Sequence, residues 1–105
     1  MSVSGRRAQL FRMEEAGRQT QRQLEMIDRQ IMRRMRRLFR NAPAYRTPTP
    51  NPADARTFLE RYRSNLAAIT QERQHEIDAL SRKLARQDAA IAALRDRIPQ
   101  DLLRA

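Results

Sequence analysis

The chain has 105 residues, 22 Lys plus Arg against 12 Asp plus Glu, a formal net charge of +10, and three Phe, two Tyr and no Trp. At this length, with 32% charged residues, it is a single domain without a thick globular core, while 40% apolar residues, regularly spaced, exclude a disordered polyelectrolyte. No cysteine is present, which excludes a disulfide framework and thiolate chemistry.

The first predicted element is a helix over residues 4–40. Its apolar positions Leu10, Met13, Gly17, Thr20, Leu24, Ile27 and Ile31 step alternately by three and four, the a/d rhythm of a coiled coil. Met35 and Leu38 follow after an extra four-residue step, a stutter. Leu24, Ile27, Ile31, Met35 and Leu38 are therefore the expected seam for a partner helix. Gly17 and Thr20 are weak places in it.

On a wheel of about 100° per residue, Arg7, Arg18, Arg22, Arg29, Arg33, Arg36 and Arg40 fall in one sector opposite that seam. Residues 29–40 hold six Arg and no acid, whereas Glu14, Glu15 and Glu25 dilute the same face upstream. Residues 1–52 carry twelve Arg against four acids; residues 53–105 carry ten basic against eight acidic groups. Only Lys83 among the basic side chains is Lys. A guanidinium binds phosphate or carboxylate in a two-pronged way that an ammonium does not. A GC-rich genome would also favour Arg over Lys, but codon bias does not place arginines on one side of a helix. Arg18, Arg22, Arg29, Arg33, Arg36, Arg37 and Arg40 are the candidate polyanion-binding set. The plain alternative is the solvated outer face of a coiled coil.

Asn41, Ala42 and Pro43 stop the first helix, and Pro43, Pro48 and Pro50 make 41–51 a semi-rigid connector. Asn51, Pro52 and Asp54 then read as N-cap, first helical residue and first-turn acid. The second predicted helix spans 52–98, with Leu59, Tyr62, Leu66, Ile69, Arg73, Ile77, Leu80, Leu84, Gln87, Ile91, Leu94 and Ile98 along its seam and a second stutter around Arg73. Residues 99–105 form a short tail with Leu102 and Leu103.

Helices of about 55 Å and 70 Å cannot bury their stripes alone. The pattern predicts one all-α unit, an antiparallel coiled-coil hairpin within a larger helical bundle. Pairing outward from the turn sets Leu38 near Tyr62, Ile31 near Leu66, Ile27 near Ile69 and Met13 near Leu84. Ile91, Leu94 and Ile98 are then expected to project past the first helix as an apolar overhang for assembly.

Catalysis finds no foothold: there is no nucleophile with a base at a recognisable spacing and no glycine-rich phosphate loop. The expectation is of no enzyme, no cofactor and no small-molecule substrate. His75 beside Glu72 and Glu76 is ordinary exposed helix surface rather than a metal site. Phe39 is expected to pack at the end of the seam, and Tyr45 to anchor the connector. A membrane surface is a poor fit, because the apolar face has coiled-coil rhythm and no Trp. With neither a secretory signal nor a spanning segment, the chain is expected to be soluble and intracellular or packaged in a particle.

The functional expectation is a structural or adaptor component of a multi-copy assembly, phage-like or nucleoprotein, whose seams bind helices or copies of itself and whose arginine face holds nucleic acid or an acidic protein. The alternative is a stand-alone dimeric DNA- or RNA-binding regulator, with Gln19, Gln23 and Gln30 available for base readout.

Overall fold

The computed structural model describes residues 3–40 and 51–98. Among them are three α-helices and no strand: α1 (Val3–Phe39), α2 (Pro52–Glu72) and α3 (Gln74–Asp96). The fold is an all-α helical hairpin in which α1 packs closely on α2. Most of the connector, with Pro43, Tyr45, Pro48 and Pro50, and the tail with Leu102 and Leu103 lie outside the described residues.

The restart of the helix follows from its first residues. The Asn51 side-chain oxygen accepts from the Ala53 N–H at 2.9 Å, Pro52 has no N–H to leave unpaired, and Asp54 lies in the first turn. At the other end, the single helix expected over 52–98 is divided by a one-residue turn at Arg73, with φ −101° and ψ 3°. The Arg73 N–H donates to the Thr70 carbonyl at 3.0 Å, three residues back, so the last turn of α2 is wound tighter than α. Two successive four-residue seam steps meet at Arg73, and this local break absorbs the phase change that they impose.

The chain divides into two compact units, Met26–Glu76 and Met1–Glu25 with Ile77–Ala105. In the first, the C-terminal part of α1 runs antiparallel to α2. Ile27, Ile31, Met35, Phe39 and Ile69 are buried, Met35 to 1% exposure, and Tyr62 and Leu66 are half-buried. Burial of each such aliphatic side chain contributes about 1.5–3 kcal/mol. The seam ends on Phe39 rather than Leu38, which is 55% exposed. The deciding factor is aromatic. Phe39 meets Phe58 edge-to-face at a centroid distance of 5.4 Å and Tyr62 at 5.3 Å, contacts that Leu38 cannot make. Leu59, also expected in the seam, is 47% exposed.

Polar groups cross this unit too. Arg34 forks onto Glu72, with Nη1 donating to Oε2 at 2.6 Å and Nη2 to Oε1 at 3.5 Å. Arg73 donates from Nε and Nη2 to the Glu76 carboxylate and from Nη1 to the Gln30 side-chain oxygen at 3.0 Å.

In the second unit the N-terminal part of α1 packs antiparallel to α3. Leu10, Ile91, Leu94 and Ile98 form its buried core, with Met13 packed against it. Leu24, Ile77, Leu80 and Leu84 are half-buried. Arg95 donates to Glu14 at 2.7 Å, and Arg6 to the Arg97 carbonyl at 3.2 Å. The expected overhang is therefore corrected. Ile91, Leu94 and Ile98 are covered by the chain's own first helix: Met13 packs against their cluster and Gly17 lies beside Ile91. Heptad-patterned stripes can be matched in more than one register, and this one buries three more large aliphatics.

Two polar residues interrupt this unit's seam. Thr20 is buried but satisfied within its own helix, its hydroxyl donating to the Ala16 carbonyl at 3.2 Å. The Gln87 side-chain oxygen is buried with no hydrogen-bond partner among the described residues.

Candidate functional site

Every arginine of the candidate set is exposed on α1 or, for Arg40, just past its end. Their surroundings separate them into two groups. Upstream, Arg18 and Arg22 grip one carboxylate: Arg18 approaches Glu15 Oε2 at 2.9 Å and Arg22 approaches Oε1 at 3.2 Å. The hydrogen bond from Arg18, and then that from Arg22, holds the Glu15 carboxyl below the ordinary glutamate range. Two guanidinium groups thus share a single negative charge, and both spend donors on it.

Downstream, none of Arg29, Arg33, Arg36, Arg37 and Arg40 makes an ion pair with a described residue. The stretch from Arg29 to Arg40 covers about 16 Å of helix axis. Arg29, Arg33, Arg36 and Arg40 keep to one side of α1, with Arg37 turned about 100° from Arg36. Arg36 and Arg37 occupy the last turn, where the helix dipole favours cations. That placement accounts for two of the five. Arg29 and Arg33 on the interior turns, and Arg40 past the helix end, have no carboxylate partner among the described residues.

The neighbouring arginines behave differently. Arg34, Arg73 and Arg95 all engage groups on the opposing helix. Gln30, a base-readout candidate, is held by Arg73, whereas Gln19 and Gln23 are exposed. Phe39 belongs to the core, and Tyr45 lies outside the described residues. His75 is exposed, and the carboxylates beside it are taken by arginine, Glu72 by Arg34 and Glu76 by Arg73. Among the described residues no group of three or more His, Cys, Asp or Glu could hold a metal ion, and no helix is long and apolar enough to cross a membrane.

One feature near the arginine face escaped the sequence reading. A groove of about 390 Å³ lies between α1 and α2, lined by Met32, Met35, Arg36, Phe39, Phe58, Leu59 and Tyr62. Met32 is off the seam rhythm and Leu59 falls on it, so neither marks an open groove in the sequence. The chain matches no protein-family model, no curated protein and no solved structure.

Proposed function

We propose that the chain is a non-enzymatic structural or adaptor protein, a multi-copy component of a larger assembly of phage-like or nucleoprotein type, whose arginine face on α1 holds a polyanion or an acidic protein surface. One observation carries this reading: Arg29, Arg33, Arg36, Arg37 and Arg40 are exposed and without an ion pair among the described residues, on a helix whose other face is buried. The helix dipole accounts for Arg36 and Arg37, which leaves Arg29, Arg33 and Arg40 without a role inside the described residues. An unopposed cluster of guanidinium groups is what phosphates or carboxylates from outside require.

Assembly is supported by size and by the apolar surface that remains. A thin two-helix layer buries a modest core, and Phe11, Met26, Leu38 and Leu59 are all exposed. With Ile91, Leu94 and Ile98 covered within the chain, those four side chains take over the role given to the overhang. The regulator reading has less support, since Gln30 is engaged internally.

The test is the native mass of the purified protein together with its ultraviolet absorbance ratio. A multimer with co-purifying polynucleotide identifies the polyanion as nucleic acid. A multimer free of it points to an acidic protein surface. A bare monomer with no affinity for any anionic polymer overturns the proposal.

A further inference from the structure

We propose that the groove between α1 and α2 is a docking site for an acidic amphipathic helix of a partner protein. The proposal rests on the reading that the arginine face serves an external anion, and it names that anion's carrier.

The floor of the groove is apolar: Met32, Met35, Phe39, Phe58 and Leu59 line it, with Arg36 at its edge. Each bank carries two arginines to one acid by helix geometry. Residues three before and four after a given position share its face. On α1, Met32 shares its face with Arg29 and Arg36 and with one acid, Asp28; on α2, Leu59 has Arg56 and Arg63 on its face, with Glu60 beside them. All four arginines are exposed, and none makes an ion pair with a described residue. An apolar trough between two arginine rows is the negative image of a helix with an aliphatic stripe and acidic flanks, which is how amphipathic helices are taken up in grooves. Methionine at two floor positions suits such a surface, because its unbranched thioether adapts to the shape of the guest.

Nucleic acid fits the groove less well. A sugar-phosphate backbone offers the banks its charge but has nothing to set against Met32 and Leu59. Base stacking needs free ring faces, whereas Phe39, Phe58 and Tyr62 are packed on one another at centroid distances of 5.3 to 6.0 Å. A second copy of the chain, carrying +10, brings like charge.

The probe is a fluorescein-labelled synthetic helix of Glu and Leu with leucines at alternate three- and four-residue spacing. It is compared with its shuffled isomer of equal charge and with an oligothymidylate of equal charge, all titrated by anisotropy. The patterned peptide binds about tenfold or more tightly than its isomer, and the charge-neutral Leu59→Gln weakens it by about tenfold while leaving the oligothymidylate unchanged. Met32→Gln repeats the loss, and since Leu59 is 47% exposed the first variant retains its far-UV spectrum. Equal binding of the two isomers, or patterned-peptide binding that ignores both substitutions, overturns the docking site. If the oligothymidylate still binds through the arginines in that case, the anion-binding face survives without the groove. If no probe responds to replacement of Arg29, Arg33, Arg36 and Arg40 by Gln, both ideas fall.

Discussion

Arg73, the residue at which the second half of the hairpin breaks, donates its Nη1 proton to the Gln30 side-chain oxygen at 3.0 Å while its Nε and Nη2 hold Glu76. A charged residue in an otherwise apolar seam is thereby converted into a cross-hairpin tie. The break turns the side chain so that its stem lies partly covered and its head reaches both partners, leaving the side chain 27% exposed.

A double-mutant cycle on Arg73→Ala and Gln30→Ala therefore gives a favourable, non-zero coupling in urea unfolding. Additive single effects would show that the two side chains do not act together.

The buried position of Ile91 and Leu94 and the exposed one of Leu38 lead to opposite mutational outcomes. Ile91→Ala or Leu94→Ala costs about 2–5 kcal/mol, whereas Leu38→Ala stays within about 0.5 kcal/mol. Thermal unfolding of the three variants checks the register directly, since an overhanging Ile91 would be as tolerant as Leu38.

The helical stretches and the Asn51-Pro52 start were legible in the sequence, because alternating three- and four-residue steps and the cap each impose local geometry, whereas the division of 52–98 at Arg73 showed only as a stutter. Register was not legible. A heptad pattern constrains which faces meet but not which heptads, so the placement of Gly17 beside Ile91 depended on total burial along the chain. Leu38 and Phe39 were both permissible continuations from Met35, by three or by four residues, and only the distant Phe58 and Tyr62 chose between them. The arginine face was readable as a stripe, and Glu15 as its diluent. That Glu14 would turn instead to Arg95 needed the second helix in place.

Gly17 lies in the seam without needing to be glycine. A methyl group built there meets only the Ile91 Cδ1 atom, at an ordinary 3.8 Å. Gly17→Ala is expected to stabilise the protein by about 0.8–1 kcal/mol through helix propensity, seen as a raised Tm. A destabilised variant would mean that α1 and α3 approach more closely at this point.

Acid sensitivity follows from Glu15 and Glu76, whose carboxyls are held below the ordinary value of 4.5 by hydrogen bonds from Arg18 and then Arg22, and from Arg73. A carboxyl with a depressed folded pKa contributes stability that is full above its unfolded pKa and is lost as pH falls through the folded one. Both groups are exposed, so the contribution is small and salt-screened. The Tm is expected to hold from neutral pH down to about 5 and to decline gently below about 4.5, less so in Glu15→Gln with Glu76→Gln. An unchanged decline in that double variant would assign the acid response to other carboxylates.

The most direct test of the anion-binding face is the salt dependence of affinity for a generic polyanion, here a short B-form DNA duplex, measured for the parent chain, for the variant with Arg29, Arg33, Arg36, Arg37 and Arg40 replaced by Gln, and for Arg18→Gln with Arg22→Gln. Each arginine facing phosphate adds about 0.9 to the slope of log affinity against log salt. The five-site variant should lose about three to five units of slope and the two-site variant about one or less, since Glu15 already occupies Arg18 and Arg22. Equal slopes for all three proteins, or a larger loss from Arg18 and Arg22 than from the downstream five, would contradict the account.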